Sequence, residues 1–167
     1  MIIILMGVSG SGKTTVGRLL AKELDWPFYD GDDFHPPANV EKMRAGIPLD
    51  DDDRDGWLAS LQNLIRQKID AGQNAILACS ALKQKYRARL QQDRPQEVRL
   101  VYLKGDFALI QQRLQMRRRH FMNPKLLQSQ FDALEEPAEP AEALIIDIAK
   151  GSQAIVKIIQ REWRREK

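Results

Sequence analysis

The sequence predicts an α/β domain in which helices cover a parallel β-sheet. Short apolar runs alternate along the chain with longer amphipathic stretches, which is the pattern of strand–helix–strand crossovers. A glycine-rich loop stands between the first apolar run and the first amphipathic stretch, where parallel sheets bind ligands. The 167 residues suffice for one hydrophobic core and hardly for two, so we predict a single domain over residues 1–167.

Five apolar runs are predicted as strands, with amphipathic helices between them. The helix through Trp57 shows the helical pattern best, because its apolar residues share one face and Gly72 follows as a stop signal. Right-handed crossovers bring the carboxyl ends of the strands to one edge of the sheet, where we expect the ligands. The predicted strands are residues 2–6, 28–30, 75–79, 98–103 and 144–148.

The glycine-rich loop has the spacing Gly-x-x-x-x-Gly-Lys-Thr of a phosphate-binding loop. Glycines let backbone amides and a helix N-terminus point at phosphate oxygens. Lys13 would reach the β- and γ-phosphates of a nucleoside triphosphate, and Thr14 would offer its hydroxyl to Mg²⁺. A plain glycine-rich turn is the alternative, but it does not explain these fixed positions and their flanks. The predicted nucleotide-binding residues are Gly7, Val8, Ser9, Gly10, Ser11, Gly12, Lys13, Thr14 and Thr15.

Composition and charge exclude several classes of protein. The chain is 43% hydrophobic and 29% charged without low-complexity tracts, which excludes disorder. Much of the net charge of +3 comes from residues 117–119 and 161–167, and small anionic ligands explain it at least as well as nucleic acid. Only Cys79 is present, and the first apolar run is too short for a signal peptide or a membrane span. We expect a cytoplasmic protein with no membrane and no nucleic-acid partner.

An acidic segment, residues 30–33, ends the second predicted strand at the sheet edge of the phosphate loop. Phosphoryl transfer needs a group that takes or orients the hydroxyl proton of the acceptor, and Asp32 is predicted for that role. Asp30 would help Thr14 to hold hydrated magnesium, and Asp33 is the substitute for either role. The alternative is that these residues only form a turn and cap the next helix.

A run of four aspartates, residues 50–53, precedes Arg54 and the helix through Trp57. For most of these aspartates we favour a solvated loop with a helix N-cap. Arg54 stays open between two interpretations. Its guanidinium could clamp a substrate carboxylate in bidentate fashion, or it could pair with acids at the surface.

Polar residues follow the third predicted strand. P-loop enzymes often carry a magnesium-holding aspartate there, and this chain has none. Ser80 and Lys83 are therefore predicted as polar contacts to the substrate, and Cys79 as a core residue. Arg87 lies one helical turn after Lys83 on the same face, so it is a substrate candidate whose default interpretation is an exposed basic face.

A basic stretch containing Arg113 and residues 117–119 precedes His120. It predicts a lid at about residues 117–130, because arginines on a lid neutralise charge on the transferring phosphoryl group and help to exclude water. Arg117 is predicted as the catalytic arginine. The alternative is a basic helix face in solvent. His120 stays open between a substrate donor and a helix-end residue.

Taken together, these motifs resemble the gluconokinase family over residues 7–135, which is most of the chain. The motifs after the phosphate loop are far more selective than the loop itself. They are Asp30-Gly31-Asp32 with His35-Pro36, Gly46-Ile47-Pro48-Leu49 followed by Asp51-Asp52-Asp53-Arg54, Cys79-Ser80-Ala81-Leu82-Lys83 with Tyr86-Arg87, His120-Phe121-Met122, and Ser129-Gln130-Phe131 followed by Leu134-Glu135.

The resemblance implies a nucleoside-monophosphate-kinase-like P-loop fold with a five-stranded parallel sheet and a lid. It implies ATP with Mg²⁺, transfer of the γ-phosphate to the 6-hydroxyl of D-gluconate, and a cytoplasmic enzyme that is usually a homodimer. The substrate contacts expected on the matching motifs are Asp32, His35, Arg54, Ser80, Lys83, Arg87 and His120.

Two positions depart from the family pattern. Arg119 stands where a glycine usually precedes the His-Phe pair, which could stiffen the lid or add a phosphate contact. Asp55-Gly56 stands where a proline commonly precedes Trp57, which would loosen the start of that helix.

Three other functions compete with this one. A kinase for shikimate or another sugar acid would use the same loop, aspartates and lid. A regulatory GTP switch is disfavoured, because the chain lacks an Asn-Lys-x-Asp or Thr-Lys-x-Asp segment to read guanine. A nucleic-acid-binding protein is disfavoured, because no binding module or aromatic platform accompanies the basic tail.

Overall fold

The computed structural model describes residues 1–92, 94–116, 124–138 and 142–165. In these ranges, helices follow the strands in the alternation that the sequence predicts. Short 3-10 helices at Gly31–Phe34 and Ile148–Lys150 follow the second and fifth strands. The main elements are β1 (Ile2–Met6), α1 (Lys13–Leu24), β2 (Phe28–Asp30), α2 (Pro37–Arg44), α3 (Asp51–Asp70), β3 (Ala75–Ala78), α4 (Gln84–Gln91), β4 (Val98–Lys104), α5 (Phe107–Met116), α6 (Pro124–Ala133), β5 (Leu144–Asp147) and α7 (Ser152–Arg165).

The five strands form one parallel sheet in the order β2-β3-β1-β4-β5. From the central strand β1 the chain passes to β2 at one edge, returns to β3 between β2 and β1, and then crosses to β4 and β5 on the other side. The strand order therefore reverses at the carboxyl end of β1, where open α/β sheets bind ligands. The phosphate loop begins there, and the amide of Gly7 donates a 3.2 Å hydrogen bond to the carbonyl of Ser80 just beyond β3.

The core has two halves because alternate residues of each strand point to opposite faces of the sheet. Ile2, Ile4 and Met6 of β1 pack on the face covered by α3 and α4, together with Trp57 and Leu61. The other β1 residues, Ile3 and Leu5, pack on the face covered by α1, α5 and α7. All five residues of β1 are buried, so the strand that leads into the phosphate loop is enclosed on both faces.

The predicted α/β class and five-stranded parallel sheet are confirmed. The predicted ranges of β1 and β2 match the observed ones, whereas β3 ends one residue earlier and β4 one residue later than predicted. The fifth predicted strand was too long by one residue, because Asp147 accepts the amide of Ala149 and turns the chain into a 3-10 helix. Among the described helices, none has both the length and the apolar character needed to cross a bilayer.

The expectation of a loosened helix start at Gly56 is wrong. Helix α3 already begins at Asp51, where Asp50 and Asp53 form a reciprocal capping box: each carboxylate accepts the other residue's backbone amide. Gly56 lies in the second turn, and Ser60 donates to its carbonyl at 3.0 Å. Gly72 follows the end of α3 with φ +67°, which agrees with its predicted role as a stop.

Residues 117–123 of the predicted lid lie outside the described residues, and residues 124–130 belong to the regular helix α6. Gln130 on α6 accepts the amide of Ser9 at 2.7 Å and donates to the Ser9 hydroxyl at 3.2 Å. The helix that follows the predicted lid is thus hydrogen-bonded to the phosphate loop.

Candidate active site

The phosphate loop adopts a backbone that its glycines make possible. Gly7 has φ +141° and Gly10 has φ +84°, both in the region that favours glycine. A side chain on Gly7 would also stand 2.9 Å from the carbonyl oxygen of Leu103. The Nζ of Lys13 donates to the carbonyls of Gly7 and Val8, each at 3.0 Å, so the ammonium group lies inside the curve of the loop.

Thr14 and Asp30 join the phosphate loop to the end of β2. The Thr14 hydroxyl donates to Oδ2 of Asp30 at 2.8 Å, while Oδ1 of Asp30 accepts the amide of Asp32 at 3.2 Å. Asp30 therefore caps the 3-10 helix and holds a carboxylate beside the threonine hydroxyl. Hard oxygen ligands of this kind suit Mg²⁺, which usually takes one or two protein groups and completes its shell with water and phosphate. Among the described residues, no group of three His, Cys, Asp or Glu side chains could hold a metal on its own.

Asp32 is surrounded by four charged groups, namely Lys13, Asp30, Asp33 and Arg54. Partial loss of hydration raises its pKa above the ordinary value of 3.8, and the nearby carboxylates of Asp30 and Asp33 raise it further. The positive charges of Lys13 and Arg54 oppose this rise. The side chain keeps access to solvent. Asp32 is thus an accessible carboxylate within the field of a cation from the phosphate loop and a cation from α3.

Gly31 is the first residue of the 3-10 helix that carries Asp32, and it packs closely against β3. A side chain on Gly31 would stand 2.7 Å from the carbonyl oxygen of Ala78, so only glycine lets the 3-10 helix lie this close to β3. Its carbonyl accepts a 2.7 Å hydrogen bond from Nε1 of buried Trp57. Asp33 does not cap the next helix, since the residue before α2 is Pro36 and no side chain caps it.

Two aromatic rings hold His35 and Arg54 beside Asp32. The imidazole of His35 stacks on Trp57 with 4.5 Å between ring centroids and 10° between planes. The guanidinium carbon of Arg54 lies 6.0 Å from the Trp57 ring and 5.8 Å from the Tyr86 ring. Both distances are in the range of cation–π contacts, so two aromatic rings lie close to Arg54. Burial and the positive charge of Arg54 lower the pKa of His35 to about 4.

The N-cap expected in the acidic run is Asp50, and Asp50, Asp51 and Asp52 are exposed, but Asp51, Asp52 and Asp53 form the first turn of α3 rather than a loop. Asp51 accepts hydrogen bonds from Lys83 at 2.9 Å, from Lys85 at 2.5 Å, and from the hydroxyl of Tyr86. These donors lower the pKa of Asp51, and they tie the start of α3 to the start of α4. Asp53 pairs with Lys42 at 2.6 Å. Lys83, predicted to contact substrate, is therefore in reach of Asp51 and lies 5.7 Å from the Tyr86 ring centroid.

The loop after β3 has an unusual backbone. Ala81 has φ +44°, a conformation that costs energy for a residue with a side chain. Arg87 supports this loop, because its guanidinium donates to the carbonyls of Ala81 at 3.4 Å and Leu82 at 3.1 Å. It also donates to the carbonyl of Glu135 at 2.9 Å.

The default interpretation of Arg87 as part of an exposed basic face is wrong. The residue is only 3% exposed, and its hydrogen bonds to the carbonyls of the Ala81 loop and of Glu135 offset the burial of the guanidinium. Glu142 lies 3.4 Å from the same guanidinium.

Cys79 is a core residue as predicted: it is 2% exposed, and burial raises the pKa of its thiol to about 12.

A cavity of about 270 Å³ lies on the other side of the phosphate loop, between α5 and the start of α7. Gly10, Gly12 and Thr15 line it from the loop and α1, and Gly151 lines it from the chain before α7. Arg113 also lines the cavity, and its guanidinium donates to the carbonyl of Ile148 at 2.8 Å.

The structure thus brings Lys13, Thr14, Asp30, Asp32 and Arg54 to one sheet edge, as predicted. His35 and Ser80 lie at the same edge. Lys83 is held at its rim by Asp51. Arg117 and His120 lie outside the described residues. Asn39, Asp51 and Gln130 also contact this region and were not predicted to do so, since no local pattern indicates partners that are distant in the chain.

Comparison with known proteins identifies relatives along the whole chain. The family model described as shikimate kinase matches residues 9–161. The probable gluconokinase of Xenopus tropicalis is 43% identical over 180 residues, which cover 99% of this chain and 95% of the relative. The gluconokinase of Gluconobacter oxydans is 41% identical over 164 residues, which cover 98% of this chain and 92% of the relative.

Solved structures of a gluconokinase and of a shikimate kinase are also similar to this chain. A gluconokinase from Sinorhizobium meliloti superposes with a TM-score of 0.83 at 39% identity, covering 93% of this chain and 86% of that one. A shikimate kinase from Aquifex aeolicus reaches a TM-score of 0.61 at 18% identity, covering 99% of this chain and 98% of that one. The second likeness shows a shared fold alone.

Proposed function

Because this chain belongs to the gluconokinase family, within the shikimate-kinase-like P-loop kinases, we propose that it phosphorylates D-gluconate. The γ-phosphoryl group of ATP is transferred to the 6-hydroxyl, giving 6-phospho-D-gluconate and ADP. The observation that carries the proposal is the position of Asp32. Its carboxylate interacts electrostatically with both Lys13 of the phosphate loop and the Arg54 guanidinium. A hydroxylated carboxylate is the kind of acceptor that this charge arrangement fits.

The phosphate loop binds the triphosphate in this proposal. Its backbone amides and the N-terminus of α1 face the β- and γ-phosphates, and Lys13 exchanges the carbonyls of Gly7 and Val8 for phosphate oxygens. Thr14 and Asp30 would hold hydrated Mg²⁺, which when bound neutralises charge on the phosphate oxygens. The cavity beside Arg113 and Gly151 would take the nucleotide base, because it continues from the loop and has both polar and apolar walls.

Asp32 handles the acceptor hydroxyl. As an ionised carboxylate it accepts a hydrogen bond from the 6-hydroxyl, aims the oxygen at the γ-phosphorus, and takes the proton as the new P–O bond forms. A raised pKa suits this task, since a more basic carboxylate is a better proton acceptor. The positive charges of Lys13 and Arg54 favour the ionised carboxylate and oppose the effect of lost hydration on its pKa.

Arg54 binds the carboxylate end of the acceptor. The guanidinium lies close to the Trp57 and Tyr86 rings, and its planar set of N–H donors would bind a carboxylate in bidentate fashion. His35 and Ser80 contact acceptor hydroxyls, and Lys83 adds positive charge when it leaves Asp51. Arg87 acts through the loop that it supports. Arg117 remains our proposal for the arginine that neutralises the transferring group, with His120 as a further acceptor contact.

A second candidate function is phosphorylation of a shikimate-like acid, favoured by the family model that matches residues 9–161. The same phosphate loop and Asp32 would serve. The acceptor would then be a ring rather than an open chain, so the distance from reacting hydroxyl to carboxylate would be shorter.

The family also suggests where and how the enzyme acts. We propose a homodimer in the cytoplasm, with ATP and D-gluconate as its small-molecule partners. A free thiol buried at Cys79 is compatible with a reducing compartment.

A coupled assay tests the function. The protein is incubated with magnesium, ATP and, separately, D-gluconate, shikimate and neutral sorbitol, and the phosphorylated product is identified by NMR. We expect 6-phosphogluconate at a rate far above the other two. Lys13→Met should abolish turnover, whereas Lys22→Met, an exposed lysine of the same helix, should not. Preferred phosphorylation of shikimate would support the second candidate instead.

A further inference from the structure

Asn39 is a buried polar residue near the start of α2, and it lies between the proposed acceptor contact His35 and the helix α3. Only 3% of its surface is exposed. Its amide nitrogen Nδ2 lies 2.7 Å from the backbone carbonyl oxygen of Asp53 and 3.3 Å from Nδ1 of His35. Burial of an amide is costly unless its hydrogens are bonded, so these two contacts define what Asn39 does.

The contact with Asp53 fixes the orientation of the amide. A backbone carbonyl can only accept a hydrogen bond, so the atom that faces it must be the nitrogen of Asn39 rather than its oxygen. The nitrogen has two hydrogens. One goes to the carbonyl of Asp53, and the other points to Nδ1 of His35, which must then be the accepting ring nitrogen.

The ring of His35 is neutral and fixed in place. Its pKa is lowered to about 4 by burial and by Arg54, so the imidazole carries one hydrogen at neutral pH. Stacking on Trp57 prevents the ring from tilting away from Asn39. When Nδ1 accepts, the single hydrogen of a neutral imidazole must lie on Nε2.

We propose that Asn39 is a positioning residue that holds His35 in the Nε2–H form, so that His35 donates a hydrogen bond to a hydroxyl oxygen of the acceptor. The proposal rests on the proposed function for the nature of the acceptor. Arg54, at the same edge, provides only donors to the acceptor carboxylate, and Asp32 provides only acceptors when ionised. A fixed donor at His35 favours an acceptor molecule that has a hydroxyl oxygen at this position over one that has an apolar group there.

Imidazole NMR tests the tautomer directly in the free protein. The chain has two histidines, so ¹⁵N-histidine labelling gives two imidazole spin systems, and the His120→Gln variant identifies that of His35. Long-range ¹⁵N–¹H correlations distinguish a protonated Nε2 from a protonated Nδ1. We expect Nε2–H in the unsubstituted enzyme at neutral pH. A protonated Nδ1 there would overturn the proposal without any variant.

Asn39→Asp tests whether Asn39 sets the tautomer. A carboxylate accepts where the amide donates, so it should draw the hydrogen to Nδ1 and leave Nε2 without one. The KM for D-gluconate should then rise on the order of tenfold, the loss of one hydrogen bond, while the KM for ATP stays unchanged. Asn63→Asp makes the same change on the exposed face of α3 and should alter neither the spectrum nor the KM.

The outcomes separate the two proposals. The spectra are compared at a pH where the ¹⁵N shifts show a neutral ring in both proteins. An Nε2–H signal that persists there in Asn39→Asp overturns the positioning role, and so does a reversed tautomer with an unchanged KM for D-gluconate. Absence of gluconate phosphorylation in the unsubstituted enzyme overturns the proposed function. The imidazole spectrum of the free protein would still show which ring nitrogen of His35 is protonated, so the effect of Asn39 on the tautomer is tested independently of activity.

Discussion

The hydroxyl of Thr14 donates a 2.8 Å hydrogen bond to the carboxylate of Asp30, although the two residues belong to different elements of the fold. Thr14 lies in the first turn of α1, and Asp30 is the last residue of β2, which is separated from β1 in the sheet by β3. This contact joins the proposed triphosphate site to the segment that carries Asp32. Changes at either end should therefore affect metal use before they affect acceptor binding.

Thr14→Val keeps the shape of the side chain but removes the hydroxyl. We expect kcat to fall roughly 10- to 100-fold, as is typical when a partner of a metal site is lost, and the magnesium concentration for half-maximal rate to rise. Thr14→Ser keeps a hydroxyl and is the matched control, with most activity retained. Steady-state rates over a magnesium titration measure both. Equal behaviour of the two variants would exclude a metal role for the hydroxyl.

Asp32→Asn removes the proposed proton acceptor and keeps the side-chain shape. We expect kcat to fall roughly 10²- to 10⁴-fold, the usual contribution of general base catalysis, with the Kd for ATP little changed. Asp33→Asn is the matched control, since the two residues are neighbours in the same 3-10 helix. A large loss in Asp33→Asn with a small loss in Asp32→Asn would move the role to Asp33.

Arg54→Ala should raise the KM for D-gluconate roughly 10- to 100-fold, because a charge-assisted hydrogen bond to the carboxylate is lost. Activity toward neutral sorbitol should change little. Arg54→Lys should recover only part of the loss, since an ammonium group cannot bind a carboxylate in bidentate fashion. Arg66→Ala, an exposed arginine on the same helix, is the control. Equal losses for gluconate and sorbitol would contradict a carboxylate clamp.

Trp57→Phe should destabilise the protein by about 1–3 kcal/mol, because the carbonyl of Gly31 loses its buried donor. The free energy of unfolding from urea titrations measures the effect. Trp26→Phe is the control: Trp26 is half-buried and packs edge-on against Trp163 with 5.4 Å between centroids. If Trp57→Phe were as stable as the unsubstituted protein, the indole hydrogen bond would not hold the Gly31 segment.

The rate should decline at acid pH with the titration of Asp32. Its carboxylate must be ionised to accept a proton, and its pKa is raised above 3.8, so kcat/KM should fall as the pH drops through that raised value. His35 should add nothing near neutrality, because its pKa is about 4 rather than the ordinary 6.5. A pH profile of kcat/KM for D-gluconate measures this. An inflection at 6.5 that disappears in His35→Gln would contradict the account.

Much of the fold could be predicted because its signals are local. The residues of β1 are an unbroken apolar run, and the glycines and Lys13 that follow have fixed spacing. The aspartates before α3 indicated where the helix begins, and Gly72 indicated where it ends. Strand ends were less certain, since whether a chain turns at Asp147 depends on one side-chain hydrogen bond.

The site was harder to predict wherever a polar residue finds a partner far along the chain. Arg87 was expected at the surface, but it is buried and donates to the carbonyls of Ala81 and Leu82. Asp51 is exposed as expected, but its contacts with two lysines and a tyrosine from the start of α4 were not predicted. Asn39 has no sequence signature at all, because its role depends on the carbonyl of Asp53.

The central claim is that Asp32 aims the acceptor hydroxyl at a triphosphate held by Lys13. A crystal structure with magnesium, a non-hydrolysable ATP analogue and D-gluconate tests it most directly. We expect the 6-hydroxyl oxygen within about 3 Å of the Asp32 carboxylate, with the gluconate carboxylate on Arg54. A gluconate bound with its hydroxyl end away from Asp32, or a phosphate loop that leaves the analogue unbound, would contradict the account.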